Sequence, residues 1–150
     1  MSIPVSFYRI GNFFHRKGFS KIGKMISIIN RFLFATWIPS SAEIGDNFKI
    51  GYGGLGVVIH SNTRIGNNCL IAQNVTIGRD FGDKFVPVIG NDVYIGTGSV
   101  VFGEIIIGNN VIIGANTVVN KDIPDNCTVV GNPMRIIKIN RKEKYYEINN

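Results

Sequence analysis

The chain has 150 residues, 45% hydrophobic and 17% charged, with a formal net charge of +6, which is room for one domain and a modest core. Two cysteines, Cys69 and Cys127, exclude a disulfide framework. No run approaches the ~20 apolar residues that cross a bilayer, and the apolar stretches near the N-terminus are short and broken by Lys and Arg, unlike a secretory signal. A cytoplasmic protein is expected.

Residues 4–36 read as one or two helices. Phe7, Ile10 and Phe14 stand at helical intervals, as do Ile22, Ile26, Ile29 and Leu33, and Gly18 separates the two sets. Residues 1–36 carry Arg9, Arg16, Lys17, Lys21, Lys24 and Arg31 with no Asp or Glu. The other basic residues are matched by acidic ones, so the whole net charge lies in this segment. It is either a solvated helix face or a peripheral contact with an anionic partner, such as the inner face of a membrane. Pro39-Ser40-Ser41 marks the entry to a different architecture.

From Ile59 to Val119 the chain repeats with a period of six. Ile59, Ile65, Ile71 and Ile77 open the series, which resumes as Ile89, Ile95, Val101, Ile107, Ile113 and Val119. Gly66, Gly78, Gly90, Gly96, Gly108 and Gly114 follow their aliphatics. Four places after the aliphatic stands a small or β-branched residue, as at Thr63, Cys69, Val75 and Ser99. A period of six cannot hold one face of a 3.6-residue helix, but it suits a parallel β-helix in which each short strand turns one aliphatic inward. Cys69 falls in a small-residue slot, as a core thiol. Apolar residues beside that column, such as Val57, Val100 and Ile106, need cover, which predicts a homotrimer.

Two segments break the pattern. Gly51–Gly56 lengthens one repeat, and residues 79–88 keep the phase while carrying Gly, Pro and four charges, as an extruded loop. Residues 120–135 close the β-helix, and 138–150 form a polar tail expected to be mobile. The boundaries are 1–36 for the helical segment, 37–137 for the β-helix and 138–150 for the tail.

The hexapeptides, the Gly51–Ile59 segment and the closing Val118-Val119-Asn120-Lys121-Asp122-Ile123-Pro124 and Val129-Val130-Gly131-Asn132-Pro133-Met134-Arg135-Ile136 resemble the serine acetyltransferase-related branch of left-handed β-helix acyltransferases. That resemblance implies a left-handed coil, acetyl-CoA as donor, and active sites between the subunits of a homotrimer. Where serine acetyltransferases carry an Asp-His pair this chain has Gly51-Tyr52-Gly53. Where they carry a loop His it has Gly82-Asp83-Lys84-Phe85, and a further family Asp falls at Trp37. Gly-Tyr-Gly-Gly-Leu-Gly-Val-Val-Ile-His instead looks like the polysaccharide-biosynthesis offshoot, which includes colanic-acid, O-antigen and capsule O-acetyltransferases. The expected function is thus acetylation of a sugar or glycan hydroxyl. Serine O-acetylation is the alternative, and a noncatalytic assembly module a more distant one.

Acetyl transfer from a thioester to a hydroxyl needs a base and donors for the developing oxyanion. His60 stands after the aliphatic, where Gly is usual, and is the expected general base or else a surface histidine. His15 lies away from any motif. Asp80 and Asp83 are candidates for orienting the imidazole, and Asn74 for bonding substrate, although Asn at a corner also serves left-handed backbone. Gly78, Gly96, Gly98, Gly114 and Ala115 are expected to leave room for pantetheine along the coils, as matching family positions do. Lys121 and Arg135 are expected to meet the coenzyme A phosphates. Zinc chemistry of the β-helical carbonic anhydrase kind needs three histidines, and only two are present. No Walker or dinucleotide fingerprint appears, and no nucleic-acid partner is expected.

Overall fold

The computed structural model describes residues 2–81 and 85–148. Two helices lead, α1 (Ile3–Arg16) and α2 (Ser20–Phe34). Pro4 sits in the first turn of α1, where its missing N–H costs nothing. The chain reverses at Gly18, φ +91°. The helices cross closely because both contribute glycine: a Cβ on Gly23 would lie 2.7 Å from the Gly11 carbonyl oxygen.

The apolar stripe read from the sequence of α2 does not face the core. Gly23, Ser27 and Asn30 are buried, while Ile22, Ile29 and Leu33 are exposed. Close approach demands small residues on the inner side. Ser27 and Asn30 also supply bonds there: Ser27 Oγ accepts from the Ser40 amide at 2.9 Å, and Asn30 Nδ2 donates to the Pro4 carbonyl at 3.1 Å.

Four coils follow. The first holds β1 (Glu43–Ile44), β2 (Lys49–Ile50) and β3 (Val58–Ile59). The second holds β4 (Arg64–Ile65), β5 (Leu70–Ile71) and β6 (Thr76–Gly78), and the third β7 (Val88–Ile89), β8 (Tyr94–Ile95) and β9 (Val100–Phe102). The fourth holds β10 (Ile106–Ile107), β11 (Ile112–Ile113) and β12 (Val118–Val119), before β13 (Thr128–Val130) and β14 (Arg135–Lys138). Parallel pairing stacks them into three faces. Face one is β1-β4-β7-β10, face two is β2-β5-β8-β11-β13 with β14 added antiparallel, and face three is β3-β6-β9-β12. The result is the left-handed parallel β-helix with an N-terminal helical segment.

In most strands the second residue points inward. All ten aliphatics of the series are buried, several completely, among them Ile59, Ile77, Val101 and Val119. The slots between them hold Thr63, Cys69, Val75, Val93, Ser99, Val111 and Thr117, each at most 1% exposed. Val57 belongs to this inner set at 0%, not to the surface; it stands two places before Ile59, as Val75 does before Ile77. Val100 is half-buried and Ile106 is 62% exposed.

One corner is laced by side chains. The amides of Asp46, Asn67, Asn91 and Asn109 donate to Oδ1 of Asn67, Asn91, Asn109 and Asp125 at 2.7–2.8 Å. Each next position, Asn47, Asn68, Asp92, Asn110 and Asn126, has positive φ, a backbone region that Asn and Asp tolerate best among non-glycines.

The expectation of a mobile tail is corrected, because the tail docks along this corner. Arg141 is buried, with Nη2 donating to Asn110 Oδ1 at 2.9 Å, and the Tyr145 hydroxyl donates to the Asn68 carbonyl at 2.8 Å. Lys144 pairs with Asp92 at 2.5 Å, and the Tyr146 hydroxyl donates to the same carboxylate at 3.1 Å. Burial pulls the Asp92 carboxyl upward, but bonds from Lys144, Asn68 and Tyr146 outweigh it and hold the group below its ordinary range.

Candidate functional site

Both interruptions flank face three, at opposite corners. Gly51–Gly54 forms a short 3-10 turn where the first coil passes from face two to face three. It pushes Tyr52 outward, 84% exposed and with φ 47°. The longer loop leaves after β6, where the second coil passes from face three to face one.

The corner after face three carries the candidate base, His60. The pairings Ile59 with Ile77, Gly78 with Phe102 and Val119 with Val101 stack His60, Gly78, Phe102 and Asn120 in one column. Gly78 is free of steric demand: a Cβ there would meet nothing within 4 Å. Arg79, Asp80, Phe81 and Phe102 line a shallow cleft of about 450 Å³ beside it. Phe102, like His60, follows an aliphatic where Gly is usual, and that substitution is the sequence signal that finds it.

His60 is half-buried. Its amide donates to the Ile77 carbonyl at 2.9 Å, and its Nδ1 accepts from the Asn62 amide at 3.2 Å. With Nδ1 as acceptor, the neutral ring carries its proton on Nε2. In this arrangement Nε2–H is a donor, suited to an oxyanion. To accept a hydroxyl proton at Nε2, the ring must shift its own proton to Nδ1 and give up the Asn62 bond. Among the described residues no carboxylate bonds to His60. Asp80 is exposed, its Oδ1 accepting from the Phe81 amide at 2.7 Å, and Asp83 lies outside the described residues.

Asn74 is not beside His60. It stands at the opposite corner of face three, with φ 56°. Its amide donates to the Leu55 carbonyl at 2.8 Å, and its Oδ1 lies 2.1 Å from where a Gly56 Cβ would sit. Asn74 therefore supports the Gly51–Gly56 turn.

Gly96, Gly98, Gly114 and Ala115 gather at that same corner. A Cβ on Gly96 would lie 2.6 Å from the Ala115 amide nitrogen, so stacking of the coils alone requires glycine there. Ala115 is exposed. Lys121 follows Asn120 on the His60 column, two coils above Gly78, and Arg135 pairs with Val130 at the end of face two. Both are exposed, at different corners.

A feature with no sequence signal lies on face three itself. Trp37 bridges Val58, two residues before His60, and the Arg31 guanidinium stands over the Trp37 ring, 5.6 Å from its centroid. With Thr36 and Val57 they line a cleft of about 590 Å³. Among the described residues no group of three His, Cys, Asp or Glu is placed to hold a metal, and no helix is long and apolar enough to cross a membrane.

Comparisons with known proteins agree with this architecture. The family described as Bacterial transferase hexapeptide (six repeats) matches residues 87–121. The chain is 37% identical over 145 residues to a serine acetyltransferase of Bacillus subtilis (strain 168), covering 95% of this chain and 66% of that protein. It is 38% identical over 136 residues to a serine acetyltransferase of Helicobacter pylori (strain ATCC 700392 / 26695), covering 89% and 79%. A solved serine acetyltransferase in complex with CoA superposes with a TM-score of 0.82 at 28% identity, over 89% of this chain and 55% of that one. These matches overturn the expectation of a sugar acceptor in polysaccharide biosynthesis. Its signals were local departures, at Trp37, at Gly51–Gly56 and in the stretch 82–85, whereas the likeness to serine acetyltransferases runs through nearly the whole chain. By that likeness the chain belongs to the serine acetyltransferase family of hexapeptide-repeat transferases.

Proposed function

We propose that this chain is an acetyl-CoA-dependent O-acetyltransferase whose acceptor is serine. The observation that carries the reading is the 37–38% identity to serine acetyltransferases across 89–95% of the chain, supported by the likeness to a relative solved with CoA. The serine hydroxyl oxygen attacks the thioester carbonyl carbon, the C–S bond breaks, and the hydroxyl proton passes to His60 and on to the departing thiolate. Before attack the Nε2–H of His60 is a donor; its role as base requires the ring proton to move to Nδ1. The open backbone at Gly78 leaves room for the reacting groups beside it.

A serine acceptor carries a carboxylate that needs a countercharge. Arg31 over Trp37 supplies one on the same face, two residues along from His60 through Val58. Pantetheine runs by the corner of Gly96, Gly98, Gly114 and Ala115 of one subunit, which in the proposed trimer meets the His60 column of a neighbouring copy, with Lys121 of that column and Arg135 toward the phosphates. The working unit is a homotrimer, favoured by the exposed Val58, Val88 and Ile106 on the flat faces. The test is release of free coenzyme A thiol from acetyl-CoA with serine as acceptor, with O-acetylserine identified by mass and native mass measured alongside. Arg31→Met should raise the KM for serine at least ten-fold with kcat little changed. Binding of acetyl-CoA without turnover of serine would refute the acceptor assignment, and a clean 16.5 kDa species would refute the trimer.

A further inference from the structure

We infer that the outer face of α2 docks on an anionic lipid surface. Amphipathic helices ordinarily bury the apolar stripe and expose the polar one. This helix does the reverse. Its buried residues are Gly23, Ser27 and Asn30, while Met25, Ile28, Ile29, Phe32 and Leu33, spaced three and four apart along one side, are 38–84% exposed. The neighbouring α1 adds exposed Ile10 and Phe13, 52% and 57%. Single exposed apolar residues are ordinary, but a continuous helix face of them is a binding surface.

Charge selects the occupant. Lys21 and Lys24 border the apolar face of α2, and Arg16 and Lys17 end α1, with Lys17 Nζ 5.9 Å from the Phe13 ring centroid. Residues 1–36 contain no acidic side chain. A second copy meeting this face would bring together two surfaces of the same positive sign. Anionic headgroups neutralise the charge while the acyl boundary takes the apolar side chains. With 15 residues α2 is too short to span a bilayer, so it lies in the interfacial plane. The inference concerns where the protein sits and is independent of the acceptor.

The test is cosedimentation of the full chain with vesicles of phosphatidylglycerol and phosphatidylcholine, against phosphatidylcholine alone. Binding to the anionic vesicles should be at least ten-fold tighter and should weaken at least ten-fold between 0.1 and 0.5 M salt. Met25→Ser with Ile29→Ser, both on the exposed side where folding does not depend on them, should reduce it at least ten-fold with an unchanged circular dichroism spectrum. Lys21→Gln with Lys24→Gln should lessen the salt dependence. Equal binding to neutral vesicles, or none to either, overturns the inference. So does a native mass that falls in Met25→Ser/Ile29→Ser while vesicle binding is absent, which assigns the face to a second copy.

Discussion

Replacing Ile77 by alanine removes three carbons from the middle of the inward column. Ile77 is 0% exposed and stacks in register between Ile59 and Val101, themselves fully buried. At about 0.8 kcal/mol per buried CH₂ the transfer loss is about 2.4 kcal/mol. Strand pairing above and below holds the backbone, so the cavity closes only partly, and the total cost is expected at about 3.5 kcal/mol, inside the ~2–5 kcal/mol range of such deletions. At ~2–4 °C per kcal/mol for a chain of this size, Tm falls by about 10 °C. Urea unfolding at fixed protein concentration measures it, since assembly makes the midpoint concentration-dependent. Ile106→Ala makes the same chemical change on face one at 62% exposure, and its direct cost within one chain is below ~1 kcal/mol. A loss under ~1 kcal/mol for Ile77→Ala would show that the column is not close-packed and would refute the reasoning. An Ile106→Ala loss that grows with protein concentration would locate that residue in a subunit interface.

Four further outcomes follow. His60→Asn should lower kcat for acetyl transfer by ~10²–10⁴-fold while leaving the affinity for coenzyme A, measured calorimetrically, unchanged; near-normal turnover would remove His60 from the mechanism. Lys121→Ala and Arg135→Ala should each weaken coenzyme A by about 1–3 kcal/mol, and by less for the dephosphorylated form; unchanged affinity in both refutes their assignment. The Asp92 carboxyl is held low in the folded chain, so its contribution to tail docking is complete above the unfolded carboxylate value of about 3.9 and is lost as pH falls through the lower folded one. Protection of the amides at 141–146, taken relative to the intrinsic exchange rate at each pH, should therefore be high at pH 6 and fall below about pH 4, and Lys144→Met should lower it already at pH 6. Burial pushes the Cys69 thiol up to about 11, so iodoacetamide at pH 8 should leave it unlabelled in the native protein and label it in urea; rapid native labelling would contradict its place in the core.

The column was legible because each inward slot must be filled by a residue of set size once per six positions, and that demand is written at Ile59, Cys69, Ser99 and Val119 alike. Val57 obeys the same spacing, yet the nine-residue step from Ile50 to Ile59 hid its phase and made it look like a surface residue. Orientation in the helices was not legible. The period of Ile22, Ile29 and Leu33 gives a stripe, but only the glycine crossing at Gly11 and Gly23 decides that the stripe points out. The candidate site is written in the sequence only in part. A histidine in a glycine slot marked His60, while the identity of its ring proton depends on the Asn62 amide, and Arg31 reaches Trp37 only through the packing of α2. The tail read as polar because its partners, Asp92, Asn110 and Asn68, are polar too. Acceptor chemistry is not legible in the departures at Trp37, Gly51–Gly56 and 82–85, because they are local while the likeness to serine acetyltransferases runs through the coils as a whole.

A stack of coils has two ends, and each end is a growth surface on which another coil, or another molecule, can be laid. Here α1 lies against one and β14 against the other. At the first coil, the Tyr8 hydroxyl donates to the Ala42 carbonyl at 2.8 Å and accepts from the Ile44 amide at 3.2 Å, while Arg9 bonds the carbonyls of Ile44 and Gly45. At the last, β14 runs antiparallel to β13 and ends the parallel order. Exposed ends of this kind invite end-to-end joining, and repeat proteins depend on terminal caps to stay soluble. Tyr8 and Arg9 thus occupy backbone groups that an added coil would need, and deleting α1 should expose them to end-to-end joining.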